Sequence, residues 1–379
     1  MKIAIITGSR ADRGPLEVVF QALDDYGIGN GQPNRPLFPR WIDVEKVAES
    51  WGKCPSPFHI HVTAQCATWT SGDLLSKPTD LVIVHGDRYE ILGAVIGANM
   101  MGVPIAHIAG GDVTEGSADD SYRHAITKLS HLHFPNCAES AARIIQMGED
   151  PERVHMVGDP AIDRILQTPL LGKDETFRAV GLLAVQRALL VSLHPETLGD
   201  TGATLNALLG ALKALDGAIG IVLIGPNADL GHQTIELAWQ PLASARPNTV
   251  YCPDLPANVF LSLLKHCDVM AGNSSAALYE APAFGLPAVN IGDRQHGRSK
   301  HFLVRDCYPD KTSISIAIKW AIAEGRTRIS PEKFGDGHAA ERIANVIGGI
   351  KDPKSLLRKR FQTIDMGRYS SPEEMGNVP

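Results

Sequence analysis

The sequence predicts an α/β fold of two parallel-sheet, Rossmann-like domains facing a cleft, and three observations predict it. Short β-branched runs recur along the chain, most of them bounded by Gly, Asp or Pro. Longer helix-compatible stretches separate them, which is the alternation of parallel βαβ units. The runs fall into two sets, and 379 residues exceed what one ordinary core accommodates, so two domains are expected.

In the first set, strands are expected at Lys2 to Thr7, His59 to Ala64, Asp80 to His85, Pro104 to Ile108, Leu132 to Pro135 and Val154 to Val157. In the second they are expected at Ala188 to Leu193, Ile219 to Ile224, Thr249 to Cys252, Asp268 to Ala271 and Ala288 to Ile291. Leu166 to Gln186, with Pro169 and Gly172, is the best linker. The organisation is therefore an N-terminal domain over 1–168, a second domain over 169–350, and a helix with a polar tail over 351–379. Gly27 to Pro57 is dense in Gly, Pro and Asn, carries Trp41 and Trp51, and gives no strand.

Composition narrows the function. Lys plus Arg number 36 against 42 Asp plus Glu, a net charge of -6, so no global field attracts nucleic acid and any phosphate needs a local site. The basic cluster of Lys354, Arg358, Lys359 and Arg360 reads as a solvated helix face. Six scattered cysteines show no CxxC pair and no metal-ligand spacing; Cys137, Cys252 and Cys267 read as small buried hydrophobes. No signal peptide and no membrane-spanning run is recognisable, so a cytoplasmic location is expected.

Ligands of open parallel sheets sit beyond the carboxyl ends of the strands. Polar clusters stand at those positions: Gly8-Ser9-Arg10-Ala11-Asp12, His85-Gly86-Asp87-Arg88 and His107-Ile108-Ala109-Gly110-Gly111-Asp112 in the first half. The second half has His194-Pro195-Glu196-Thr197, Gly225-Pro226-Asn227-Ala228-Asp229 and Gly272-Asn273-Ser274-Ser275. Any one of these is explained by helix capping; six at successive strand ends favour a site, and the two roles are compatible.

Ser274 and Ser275 precede a run expected to be helical over Ala277 to Phe284, which suits a diphosphate at its start, with Glu280 placed to accept from ribose hydroxyls. Arg294 and Arg298 add cations for phosphate, although surface ion pairs explain them equally well. Asp112, Glu115, Asp119, Asp120, Arg123 and His124 crowd one stretch, where Asp119 and Arg123 have the spacing of an ion pair along a helix. Carboxylates gathered in a cleft can also divide general acid and base roles. His59, His61, His131 and His133 lie on strand-like alternations and read as structural. No GxxxxGK[ST] loop occurs, and no GxGxxG follows the first strand, so neither P-loop nor dinucleotide chemistry is expected.

The order GSRAD, HGDRYEILG, HIAGGDVTEGSADDSYRHAITKLSHLHF, HPET, IGPNADLG and GNSSAALYEAPAFGLPAVNIGDRQHGR resembles the hydrolysing UDP-N-acetylglucosamine 2-epimerases of sialic and related nonulosonic acid biosynthesis, from Lys2 to about Ile350 except near Gly27 to Ser76. The resemblance implies a GT-B-like pair of domains, a nucleotide-diphosphate sugar substrate such as UDP-GlcNAc, a homo-oligomer, and no obligatory nicotinamide or metal. The implied reaction removes the C2 proton while UDP leaves C1, forms a glycal and adds water with inversion at C2. By motif, Asp87, Asp112 and Asp119 match the acidic cluster, with Arg123 and His124 in the same segment. Arg10, His194, Ser274, Ser275 and Glu280 match nucleotide and phosphate contacts. Ala109 departs from the HIxGG pattern, where many relatives carry Glu or His, and the N-terminal domain is shortened. Those departures leave two alternatives open: a nucleotide-sugar hydrolase or glycosyltransferase without inversion, and a non-catalytic nucleotide-sugar-binding protein.

Overall fold

The computed structural model describes residues 1–8, 10–26, 36–44, 46, 59–182, 185–196, 199–226, 231–327 and 334–363. It contains two wholly parallel sheets, of five and six strands. Along the first run β1 (Lys2–Thr7), α1 (Arg10–Asp25), β2 (Phe38–Asp43), α2 (His59–Ser76), β3 (Leu81–His85), α3 (Tyr89–Met100), β4 (Ile105–Ile108), α4 (Asp119–Leu129), β5 (Leu132–Phe134), α5 (Ala138–Gln146) and α6 (Pro160–Gln167). The second comprises α7 (Lys173–Ala179), β6 (Arg187–Ser192), α8 (Thr201–Lys213), β7 (Ile219–Ile224), α9 (His232–Ala245), β8 (Thr249–Cys252), α10 (Ala257–His266) and β9 (Val269–Gly272). A 3-10 turn (Ser275–Ala277), α11 (Glu280–Ala283), β10 (Ala288–Ile291), β11 (Val304–Cys307) and α12 (Lys311–Glu324) complete it.

Central strands are buried on both faces and read as continuous apolar runs, which is why they were legible. Ile3, Ile5, Ile83 and Leu190 are wholly buried; truncating such a side chain to Ala typically costs about 2 to 5 kcal/mol. Strand order is β2-β1-β3-β4-β5 in the first sheet and β11-β10-β9-β6-β7-β8 in the second. The order reverses between β1 and β3 and between β6 and β9, and a crevice opens beyond the strand ends where connections diverge to opposite faces.

Two strands escape the sequence reading. β2 and β11 are both sheet edges; β2 carries Pro39, which an edge tolerates, and β11 carries Arg305 and Asp306 because one side meets water. Two expected strands are absent. His59 to Ala64 opens the 18-residue helix α2, whose buried Val62, Cys66, Thr70 and Leu74 recur every fourth residue. The local alternation of His59-Ile60-His61-Val62 mimics a strand, but the longer helical stripe decides. Gly93 and Gly97 let α3 approach it closely: a Cβ at either would lie 2.2 Å from the Thr63 carbonyl oxygen or 2.4 Å from that of Ala67. Val154 to Val157 reduces to a single bridge between Val154 and His133.

The run Ala277 to Phe284 is not one helix. Leu278 and Tyr279 separate the 3-10 turn from the four-residue α11, and Pro282 within α11 restricts the backbone of the residue before it. The linker stretch contains α7, whose Phe177 joins the second domain's core. The final helix α13 (Ala339–Gly348) lies in the second span by sequence, yet Ala340, Ile343 and Ile347 pack into the first domain's core with Ile3 and Leu16. Beyond it, the tail forms a 3-10 turn at Pro353–Leu357 in place of the expected helix. Lys359 is not a solvated helix residue: its Nζ donates to the Lys128 and Ser130 carbonyls at 2.7 and 2.6 Å and to buried Glu149. No helix among the described residues is long and apolar enough to cross a membrane.

Candidate active site

Both switch points carry the polar motifs found in the sequence. At the first, Gly86 takes a positive φ of 82° after β3 and turns Asp87 over the sheet end. Below it His107 on β4 is wholly buried, and its Nε2 lies 2.9 Å from the Gly86 carbonyl, an acceptor only, so Nε2 carries the proton. Burial presses that imidazole down to about 3 and keeps it neutral, with Thr127 Oγ1 at 3.1 Å from Nδ1. His107 thus fixes the turn that aims Asp87.

Arg123 on α4 is the cation of this end, 1% exposed. One nitrogen bonds the Asp87 carboxylate. The other donates to Thr114 Oγ1 at 3.0 Å, the Asp112 carbonyl at 3.1 Å and Asp120 at 3.4 Å. The observed ion pair along α4 thus includes the i,i+3 neighbour Asp120, which also meets His124 at 3.5 Å. Burial lowers the His124 pKa against the pull of Asp120, so neutral imidazole prevails. Asp119 accepts from Ser117 Oγ at 3.2 Å at the start of the helix.

The second domain reaches across. Arg298 Nε lies 3.4 Å from Asp112 Oδ2, and its NH2 group 3.8 Å from Asp87 Oδ2. Burial opposes the charge of Arg298, but Tyr279, Asp112, Asp159 and Asp119 outweigh it. The Tyr279 hydroxyl donates to the same Asp112 Oδ2, while Ser140 Oγ stands 3.5 Å from Oδ1. Farther out, the Glu115 amide donates to the His296 carbonyl at 3.1 Å, and the two side chains meet at 2.5 Å. Arg298, read from sequence beside phosphate, has its guanidinium on the carboxylates.

At the second switch point, Gly272 has φ 141°, and a Cβ there would fall 1.8 Å from the Ser192 carbonyl oxygen. Only glycine lets β9 close against β6 at that level. Asn273, wholly buried, then clamps the loop after β6: its Oδ1 accepts from the His194 amide at 2.7 Å and its Nδ2 donates to the His194 carbonyl at 2.9 Å. The Asn273 carbonyl accepts from Arg294 at 3.1 Å and Gln295 at 2.8 Å. Ser274 caps the 3-10 turn through a 3.3 Å contact from the Ala276 amide, and Ser275 beside it is partly exposed. Burial pushes the Glu280 carboxyl up to about 7 against the opposing charge of Arg164.

The structure therefore brings together Asp87, Asp112, Asp119, Arg123, His124 and Arg298 at one end, and His194, Ser274, Ser275 and Arg294 around the other, with Glu280 following. Asn227 and the side chain of Arg10 lie outside the described residues, though Arg10 opens α1. Sequence reasoning missed Tyr279, Asn273 as the clamp, and Asp159. Asp159 had a signal, since Gly158-Asp159-Pro160 is the spelling of a capped helix start, and its carboxylate caps α6 at 2.8 Å from the Ala161 amide. Tyr279 had none, sitting in an apolar segment. Among the described residues no cluster of His, Cys, Asp or Glu is arranged to hold a metal ion.

Comparison with known proteins gives concordant results. The family described as UDP-N-acetylglucosamine 2-epimerase matches residues 44–348. The chain is 34% identical to the polysialic acid biosynthesis protein P7 of Escherichia coli, with 98% of each chain covered. It is 31% identical to a hydrolysing UDP-N,N'-diacetylbacillosamine 2-epimerase of Legionella pneumophila, over 94% of this chain and 98% of the relative. In fold it is similar to a UDP-GlcNAc 2-epimerase from Neisseria meningitidis bound to UDP-GlcNAc, with TM-score 0.73 and 16% identity over 92% of this chain and 99% of that one. It also resembles S. aureus MnaA with UDP, at TM-score 0.74 and 18% identity over 96% and 100%. The GT-B-like arrangement implied by the resemblance is the arrangement found.

Proposed function

The chain belongs to the UDP-N-acetylglucosamine 2-epimerase family, and we propose that it catalyses the hydrolysing reaction on an NDP-N-acetylhexosamine, taking UDP-GlcNAc and water to ManNAc and UDP. The observation that carries this reading is the pair Asp87 and Asp112, held by Arg123 and Arg298 at the switch point of one sheet and facing the nucleotide-type loops of the other.

In the first step the C2–H and C1–O bonds break, the C1–C2 double bond forms, UDP departs with the bonding pair and a carboxylate keeps the proton. In the second, water adds its hydroxyl to C1 and C2 regains a proton on the opposite face. Inversion at C2 therefore needs proton carriers on two faces, and two carboxylates from different strand ends meet that need. Asp87, the more exposed of the two, is assigned the C2 proton. Arg123 and Arg298 hold that carboxylate in place. Ser274, Ser275, His194, Arg294, Arg10 and Asn227 are assigned to the nucleotide, Glu280 to the ribose hydroxyls, and Asp119 with His124 to the sugar end. The reading includes a homo-oligomeric, cytoplasmic enzyme, as the resemblance implies.

A second reading, hydrolysis without inversion, is favoured by Ala109: it follows β4 at φ 60°, and its methyl group exchanges no proton. One experiment separates the two. The protein is incubated in deuterated water with UDP-GlcNAc, GDP-GlcNAc and UDP-N,N'-diacetylbacillosamine, and products are followed by NMR. Released nucleotide with deuterium at C2 supports epimerisation; release without it supports plain hydrolysis; no release from any of the three overturns both.

A further inference from the structure

Tyr279 belongs to neither of the roles assigned so far. It lies between Ser275 and Glu280, on the segment assigned to the nucleotide, yet its side chain leaves that domain. The ring is 8% exposed and fixed edge-on by Phe334, with centroids 4.5 Å apart. Its hydroxyl ends on Asp112 Oδ2, and the Arg298 guanidinium stands 5.4 Å from the ring centroid. One buried phenol thus joins the segment read as nucleotide-binding to a carboxylate of the opposite domain. Packing alone does not require the hydroxyl, since Phe would fill the same space.

We propose that Tyr279 is a positioning residue for the reaction, holding the Asp112 carboxylate in place through its hydroxyl. The inference rests on the proposed epimerase reading.

A buried carboxylate held by a fixed donor has a defined orientation, whereas Arg298, contacting both Asp112 and Asp87, can draw Asp112 out of line if that donor is lost. Burial pushes the Tyr279 phenol well above its ordinary value, with Arg298 opposing and Asp112 adding, so it stays protonated and donates at any working pH. Removing the hydroxyl takes away that donor and leaves Arg298 in place.

The test is Tyr279→Phe, assayed by nucleotide release beside the unaltered protein, with UDP affinity by calorimetry and a melting curve. We expect kcat to fall about tenfold to 100-fold, with KM and UDP affinity within about twofold. Unchanged kcat in a folded variant would overturn the proposal, as would a loss of activity tracking a loss of UDP affinity alone. Should the variant melt early, kcat, KM and UDP affinity are read below its transition, where the same outcomes decide. An inert unaltered protein refutes the epimerase reading, whereas an active one indifferent to Tyr279→Phe refutes only this inference.

Discussion

The first sheet meets the cleft with carboxylates already gripped by arginines; the second meets it with an amide clamp, two serine hydroxyls and a carboxyl that burial pushes up to about 7. The two ends share a topology, each at the point where strand order reverses, but present opposite chemistry. The difference teaches how a chain without a global positive field can handle an anionic nucleotide. In the proposed reaction the acids that move the proton stand on one domain, gripped by Arg123 and Arg298, while the nucleotide is assigned to the other, with its serine hydroxyls, Arg294 and the amide-clamped loop.

The sharpest way to break this comparison is Asp87→Asn. It keeps the shape and leaves Arg123 its contacts with Thr114, Asp120 and the Asp112 carbonyl, so the protein should fold. Turnover should drop by about 100-fold to 10,000-fold with nucleotide affinity little altered. Activity near normal in a steady-state assay would reduce Asp87 to a structural cap and erase the distinction between the ends.

The second domain is probed by replacing Ser274 and Ser275 together with Ala. If the hydroxyls donate to a diphosphate, UDP affinity measured by calorimetry should fall at least about tenfold. Ser274 also caps the 3-10 turn, so a stability loss of about 1 kcal/mol is expected alongside. A lowered melting point with unaltered affinity would show that capping is the whole role.

The smallest effect concerns Glu280. Because its folded pKa is raised to about 7 from the ordinary 4.5, the folded protein retains a proton that the unfolded chain has released between those values. Its contribution to stability is fully present below the unfolded value and is lost as pH rises through about 7. Glu280→Gln cannot titrate, so its melting temperature relative to the unaltered protein should climb from pH 5 to pH 8. A difference that stays flat across that range would mean that the carboxyl is not perturbed.

Much of this site was legible because chemistry at strand ends is local. Asp87, Asp112, Ser274 and His194 each follow an apolar run within a few residues, and a doubly wound sheet puts every such position on the same rim. The inner strands declared themselves through apolar runs buried on both faces. β2 and β11 did not, since edges admit Pro39 and the charges of Arg305 and Asp306, and α2 hid behind four residues that alternate like a strand. What the chain alone determined was therefore the α/β class, the central strands along the chain and the polar residues at their ends. Only the tertiary structure decided that Arg298 and Tyr279 cross to Asp112, that Asn273 clamps the His194 loop, and that α13 returns to the core of the first domain. Those contacts join distant residues, Tyr279 and Asp112 being 167 positions apart. Periodicity and spacing report a residue's immediate neighbours along the chain, while such pairings are set by tertiary packing between distant segments.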